Sequence, residues 1–136
     1  MPELNFTPEQ RAAIDTRGST VLVSAAAGSG KTRVLTERLM AYLTDAENPV
    51  DIDRFLVITY TRAAAAELRS RILDGIYARI ASDPENRRLR RQVALCARAE
   101  IGTIYSFCAA FLRANCAALA LAPDFQVADT ARCAAL

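Results

Sequence analysis

The stretch Ala25-Ala26-Ala27-Gly28-Ser29-Gly30-Lys31-Thr32 decides the fold. Two glycines ahead of a Lys-Thr pair make the phosphate-loop pattern, complete except that Ala25 stands at its first glycine position. A triphosphate packs several negative charges into a small volume. Gly28 and Gly30 let the backbone curl until its N–H groups point inward as an anion nest, and a helix starting at the end of the loop adds its positive pole. Lys31 offers a compact cation for the β- and γ-phosphates, and the Thr32 hydroxyl offers a ligand to Mg2+. The candidate ATP-binding positions are therefore Ala25, Ala26, Ala27, Gly28, Ser29, Gly30, Lys31 and Thr32. Lys31 and Thr32 are the candidate catalytic pair, with Thr32 the candidate Mg2+ ligand. The chain's usage of basic residues singles out the same place: of 17, all but Lys31 are arginine.

Working outward, Thr20 to Ala25 is a short apolar, β-branched run that predicts a buried strand before the loop. Leu35, Leu39, Tyr42 and Leu43 recur at helical spacing after it. Upstream, Thr7-Pro8-Glu9-Gln10 predicts a helix start, with Thr7 as cap and Gln10 closing a capping box. Downstream, Phe55 to Tyr60 predicts a second buried strand. A helix follows from Arg62, with Leu68, Ile72, Ile76 and Ile80 on one face. A further helix from about Glu85 carries Arg87, Arg88, Arg90 and Arg91, which read as a solvated face, with contact to DNA as the second reading. Ala99 to Thr103 predicts a third strand and Ser106 to Ala120 another major helix. Asp129 reads as the cap of a last helix that runs to Leu136 without a C-cap, as if cut inside an element. Strands alternating with helices imply an α/β fold with a parallel sheet flanked by helices, here truncated.

Composition narrows the class. With 136 residues, 52% of them hydrophobic and 24% charged, the chain suits one globular domain rather than a disordered segment. A net charge of +2 does not by itself argue for nucleic acid. Cys96, Cys108, Cys116 and Cys133 form no CxxC pair and the chain has no His, which argues against zinc and for buried thiols. The N-terminus lacks the basic and apolar regions of a signal peptide, and no apolar run is long enough to span a bilayer. The expected location is cytoplasmic.

Three further segments flank the loop in a recognisable order. Phe6 to Ile14 resembles the segment before the phosphate loop of superfamily 1A helicases, where a glutamine reads the adenine edge. The resemblance assigns that role to Gln10, while the capping box is the plainer explanation of the same residue. Thr59-Tyr60-Thr61-Arg62 resembles the second helicase motif, with Tyr and Arg where the family more often has Phe and Asn. Ile101-Gly102-Thr103-Ile104-Tyr105-Ser106-Phe107 resembles the next DNA-contacting motif, with Tyr105 where the family usually has His. The resemblance makes Thr59, Tyr60, Thr61, Arg62, Thr103, Tyr105 and Ser106 candidate DNA-binding positions. Strand ends, helix caps and core aromatics are the plain alternative for each segment.

Nearly the whole chain is similar to the start of A subunits of AddAB-type helicase–nucleases, a UvrD/RecB-like family. That likeness implies a partial RecA-like nucleotide-binding domain, with residues 1–136 forming the N-terminal part of helicase domain 1A. It implies ATP and Mg2+ as cofactors, single-stranded and duplex DNA as partners, and a B subunit in a heterodimer. The implied activity is an ATP-dependent helicase and exonuclease that translocates on single-stranded DNA during double-strand break repair by recombination. The acidic strand end that completes a Mg2+ site, the second RecA-like domain and the nuclease domain do not occur in the sequence. The fragment alone is therefore expected to be inactive. A small phosphate-loop kinase and a degenerate nucleotide-binding remnant are the other readings of the loop.

Overall fold

The computed structural model describes residues 5–122 and 124–128. Its first helix, α1 (Pro8–Asp15), starts as the sequence predicts. The Gln10 N–H donates to Thr7 Oγ1 at 3.3 Å, and the Thr7 N–H donates to Gln10 Oε1 at 3.0 Å. Helix α2 (Lys31–Leu43) begins directly after Gly30. A 3-10 turn (Ile52–Arg54) leads into strand β1 (Leu56–Thr59) and the long helix α3 (Arg62–Ser82). Helix α4 (Arg87–Cys96), strand β2 (Glu100–Thr103) and helix α5 (Ile104–Ala114) complete the order.

The two strands pair in parallel, Leu56 opposite Glu100 and Thr59 opposite Thr103. Parallel neighbours need a crossover, and α3 with α4 supplies it. Ala65, Leu68, Ile72 and Ile76 bury one stripe of α3, which packs on α2, α4 and both strands. Met40, Leu43 and Ile52 join them in a core that also takes Val57 and Ile101 from the sheet. Cys96, at the end of α4, is buried in it, and burial pushes its thiol pKa up despite the opposing Arg69 charge.

Several expectations need correction. Residues 20–26 run without regular secondary structure, and no strand forms at Thr20–Ala25. A strand exists only through its ladder of backbone bonds to a neighbour, and among the described residues none pairs with this segment. Leu22 is 92% exposed in consequence. The 55–60 run is buried on one face only: Val57 is inside, while Leu56 and Ile58 are exposed. The last major helix starts at Ile104 rather than Ser106 and stops at Ala114, followed by a 3-10 turn (Cys116–Leu119). Its start moves because Thr103 is the cap and Ser106 the third residue of a second capping box. Of the cysteines expected to be buried, Cys96 is, Cys108 is exposed and Cys116 intermediate. Cys133, the Pro123 expected to stop the helix that ends near Ala120, and the proposed helix from Asp129 lie outside the described residues.

Candidate nucleotide site and strand edge

The loop has the curl that its glycines allow. Gly28 and Gly30 adopt φ of 79° and 83°, in the left-handed region. A Cβ at Gly28 would meet nothing within 4 Å, and one at Gly30 would reach only Gln10 Nε2, at 3.6 Å. Backbone conformation, not space, demands glycine at both positions.

Helix α2 differs from the other described α-helices at its first turn. Thr7, Thr61, Asn86 and Thr103 each cap a helix through a side-chain oxygen, whereas α2 has no side-chain cap. Bonding into the α2 ladder begins with the Val34 N–H donating to Gly30 O at 2.9 Å. The amides of Lys31, Thr32 and Arg33 thus have no acceptor within the helix, and they sit at its positive pole.

Around this pole the polar groups converge. Lys31 Nζ donates to Ala25 O and to Ala26 O, both at 2.6 Å. Ser29 N–H closes the loop on Ala26 O at 3.3 Å. Gln10 Nε2 donates to Ser29 O at 3.1 Å, so the amide that completes the α1 cap also touches the loop. A cleft of about 550 Å³ opens beside the loop, mainly between α1 and residues 21–25, with Ser29, Lys31 and Val34 also in its lining. That volume is within the range of small-ligand sites. Sequence reasoning missed Arg33, whose guanidinium lies over the Phe6 ring at 4.7 Å, beside that of Arg11 at 5.3 Å. These contacts tie the chain entering α1 to the first turn of α2. The only signal in the sequence was the position of Arg33 next to Thr32.

The other candidate residues gather at the carboxyl ends of β1 and β2. The register sets Thr59 against Thr103, so both motif segments share one edge. Thr59 Oγ1 donates to Thr61 O at 3.0 Å and reaches Gly102 O at 3.5 Å. Thr61 Oγ1 accepts from the Ala64 N–H at 3.1 Å, capping α3. Thr103 and Ser106 exchange the two bonds of a capping box at 3.2 and 3.1 Å. What projects from the edge is aromatic: Tyr60 is fully exposed and Tyr105 is 83% exposed. Beside them runs a cleft of about 820 Å³, lined by Arg62, Thr103, Tyr105, Ser106 and Arg113. Arg69 also lines this cleft and donates to the carbonyls of Cys96, Ala99 (3.1 Å) and Ile101 (3.2 Å), which fixes α3 to the start of β2.

The basic run on α4 is not wholly a solvated face. Arg88 Nη1 donates to Asp51 Oδ1 at 2.6 Å, and Arg91 pairs with Oδ2 at 3.4 Å. Gln92, fully buried, donates to Asp51 Oδ1 at 2.8 Å and accepts from the Ile52 N–H at 2.8 Å. The Gln92 hydrogen bond and the two arginine charges hold the Asp51 carboxyl below its ordinary range, against the partial burial that would raise it. This network braces the turn before β1, at the end of the sheet away from Tyr60 and Tyr105.

Residues 6–136 match the UvrD/REP helicase N-terminal domain. The chain belongs to this family. Within the UvrD/REP family it is similar to the A subunit of the ATP-dependent helicase/nuclease of several bacteria. Identity is 51% with that of Clostridium acetobutylicum, over 92% of this chain and 10% of the relative. It is 52% with that of Thermoanaerobacter sp. X514, over 91% and 10%, and 49% with that of Clostridium novyi, over 95% and 10%. This UvrD/REP chain spans about a tenth of the length of the curated relatives it matches. No described helix is long and apolar enough to cross a membrane.

Proposed function

We propose that this chain is the nucleotide-gripping, N-terminal part of helicase domain 1A in one subunit of a cytoplasmic helicase–nuclease. On this reading the whole protein uses ATP to translocate on single-stranded DNA, beside a B subunit, in recombinational repair of double-strand breaks. The single observation that carries the nucleotide site is the uncapped first turn of α2, set behind two left-handed glycines with Lys31 beside it. A helix end left without a cap and fronted by an amide nest is built for an anion.

The residues fit ATP. The free amides of Lys31 to Arg33 would face the phosphates, and Gln10 presents an amide that can both donate to and accept from an adenine edge. Lys31 must let go of the Ala25 and Ala26 carbonyls to reach the phosphates. The Thr32 hydroxyl would hold Mg2+. Hydrolysis of the bound nucleotide supplies the free energy for movement. At the strand edge, Tyr60 and Tyr105 offer stacking faces to bases, Arg62 offers a charge to a phosphate, and Thr59, Thr61, Thr103 and Ser106 hold the two helix starts in place. On this reading residues 1–136 by themselves turn over negligible ATP.

The test is titration calorimetry of the 136-residue chain with Mg2+-ATP. Binding by the wild type, and its loss in Lys31→Ala with melting unchanged, is the expected result. Equal affinity in both proteins, or no heat from the folded wild type, refutes the nucleotide site.

A further inference from the structure

The nucleotide loop and the aromatic strand edge lie on different halves of the molecule, and one helix crossing chiefly joins them. Helix α1 packs on α2, and α2 packs on α3, while the remaining major contacts hold the strands, α3, α4 and α5 together. Both helices of the crossing begin at a candidate site. The first residue of α2 is Lys31, and the first of α3 is Arg62, capped by Thr61.

The crossing is closely fitted. Gly75 sits inside α3, where glycine is a poorer helix former than alanine. A Cβ there would lie 3.2 Å from Met40 Sδ and 3.4 Å from Met40 Cγ, and Met40 is fully buried. One turn later Arg79 clamps the same point. Its Nη1 donates to Gly75 O at 3.2 Å and its Nη2 to Glu37 Oε2 at 2.8 Å. The Arg79 and Glu37 side chains are 31% and 19% exposed, so the pair is largely withdrawn from water.

We infer that this crossing, Met40 on Gly75 with Glu37 on Arg79, is the link through which nucleotide at the loop alters the affinity of the strand edge for single-stranded DNA. The inference rests on the functional reading above. Glu37 lies six residues past Lys31, about 9 Å along α2 at 1.5 Å per residue. An anion that draws Lys31 off the Ala25 and Ala26 carbonyls changes the bonding at the first residue of the same rigid helix. Close-packed interiors pass such displacements on rather than absorb them. The contact falls near the far end of α3, so a tilt imposed at Gly75 and Arg79 moves the opposite end, where Thr61 and Arg62 meet the strand edge. Glu37, Gly75 and Arg79 are positioning residues in this scheme and touch neither ligand.

The experiment measures two affinities of the full 136-residue chain: Mg2+-ATPγS by calorimetry and labelled oligo-dT by anisotropy. Each is taken alone and with the other ligand saturating. The ratio is the coupling factor, the same from either side. The wild type is expected to show about fivefold or more, the lower end of ordinary allosteric coupling. In Glu37→Gln, Arg79→Gln and Gly75→Ala the factor should fall to within about twofold of unity. Melting would confirm that each variant is folded, and each separate affinity should stay near the wild-type value. The exchange Glu37→Arg with Arg79→Glu should restore coupling, which a merely structural role does not predict. Wild-type coupling in the single variants overturns the inference. So does binding of both ligands by the wild type without coupling, which leaves the two sites standing. Failure of the folded wild type to bind either ligand overturns the functional reading and this inference with it.

Discussion

Gly30→Ala separates conformational strain from lost space in the nucleotide loop. An added Cβ meets only Gln10 Nε2, at 3.6 Å, an ordinary contact. The substitution therefore costs almost nothing in packing. The backbone, however, holds φ at 83°, and an L-residue there pays about 1–2 kcal/mol. That penalty must appear in one of two places. If the empty loop keeps its curl, the folded protein loses about 1–2 kcal/mol of stability and nucleotide affinity is unchanged. If the empty loop relaxes to a negative φ, stability is kept and the curl must be rebuilt on binding, weakening Mg2+-ATP by roughly 5–30-fold. The two losses together should total about 1–2 kcal/mol, measured by urea unfolding and by calorimetry on the same preparation. A variant with wild-type stability and wild-type affinity would refute the argument, because the left-handed backbone would then carry no cost.

Gln92→Leu should lower stability by about 1–3 kcal/mol, since it strips the buried Ile52 N–H of its acceptor where water cannot replace it; denaturant midpoints measure this. Asp51 predicts an acid-labile brace. Its folded pKa is lowered, so its contribution is fully present above the unfolded value of about 4 and is lost as pH falls through the folded value. The carboxyls of Glu9 and Asp45 are lowered too, so the comparison must be with Asp51→Asn, whose stability should fall less steeply between pH 5 and pH 3 (the window set by about 4 for a free Asp). Tyr60→Ala and Tyr105→Ala should each weaken oligo-dT binding by about 1–3 kcal/mol per stacked base while leaving the salt dependence alone. Arg62→Ala should instead reduce the salt slope by about 0.7, as one fewer phosphate is neutralised; the reverse pattern in titrations across ionic strength would sink the division of roles at the edge.

What the sequence made legible was local. The phosphate loop, the Thr7–Gln10 capping box, and the onsets of α2 and α3 depend on residues a few positions apart, and each formed where the pattern placed it. What it hid was partnership at a distance. The Thr20–Ala25 run has a strand's composition, but a ladder needs a neighbour that composition does not disclose. Arg88 read as part of a solvated basic face, and nothing in the sequence singled out Gln92. Their engagement with Asp51 and Ile52, some 40 positions away, follows only from how α4 lies on the turn before β1. The early start of α5 was legible after all: Thr103 and Ser106 satisfy the spacing of a capping box, which places the helix start two residues before Ser106.

That last error bears on how the motif residues work. Capping and ligand contact looked like rival explanations of Thr61, Thr103 and Gln10, yet the geometry joins them. Thr61 and Thr103 spend their hydroxyls holding α3 and α5 at the ends of two adjacent strands, and that placement brings Tyr60, Arg62 and Tyr105 to one edge. Gln10 completes a cap with its oxygen and reaches Ser29 with its nitrogen, so the residue that starts α1 also fixes how α1 meets the loop. On the proposed reading, then, replacing a threonine cap should harm DNA binding through the helix start rather than through a lost hydroxyl contact. Thr61→Ser and Thr61→Asn keep a capping oxygen and should bind oligo-dT like the wild type, whereas Thr61→Ala should lose about 1 kcal/mol of stability together with affinity. If Thr61→Asn bound as poorly as Thr61→Ala while melting like the wild type, the hydroxyl itself would be the contact and the cap incidental.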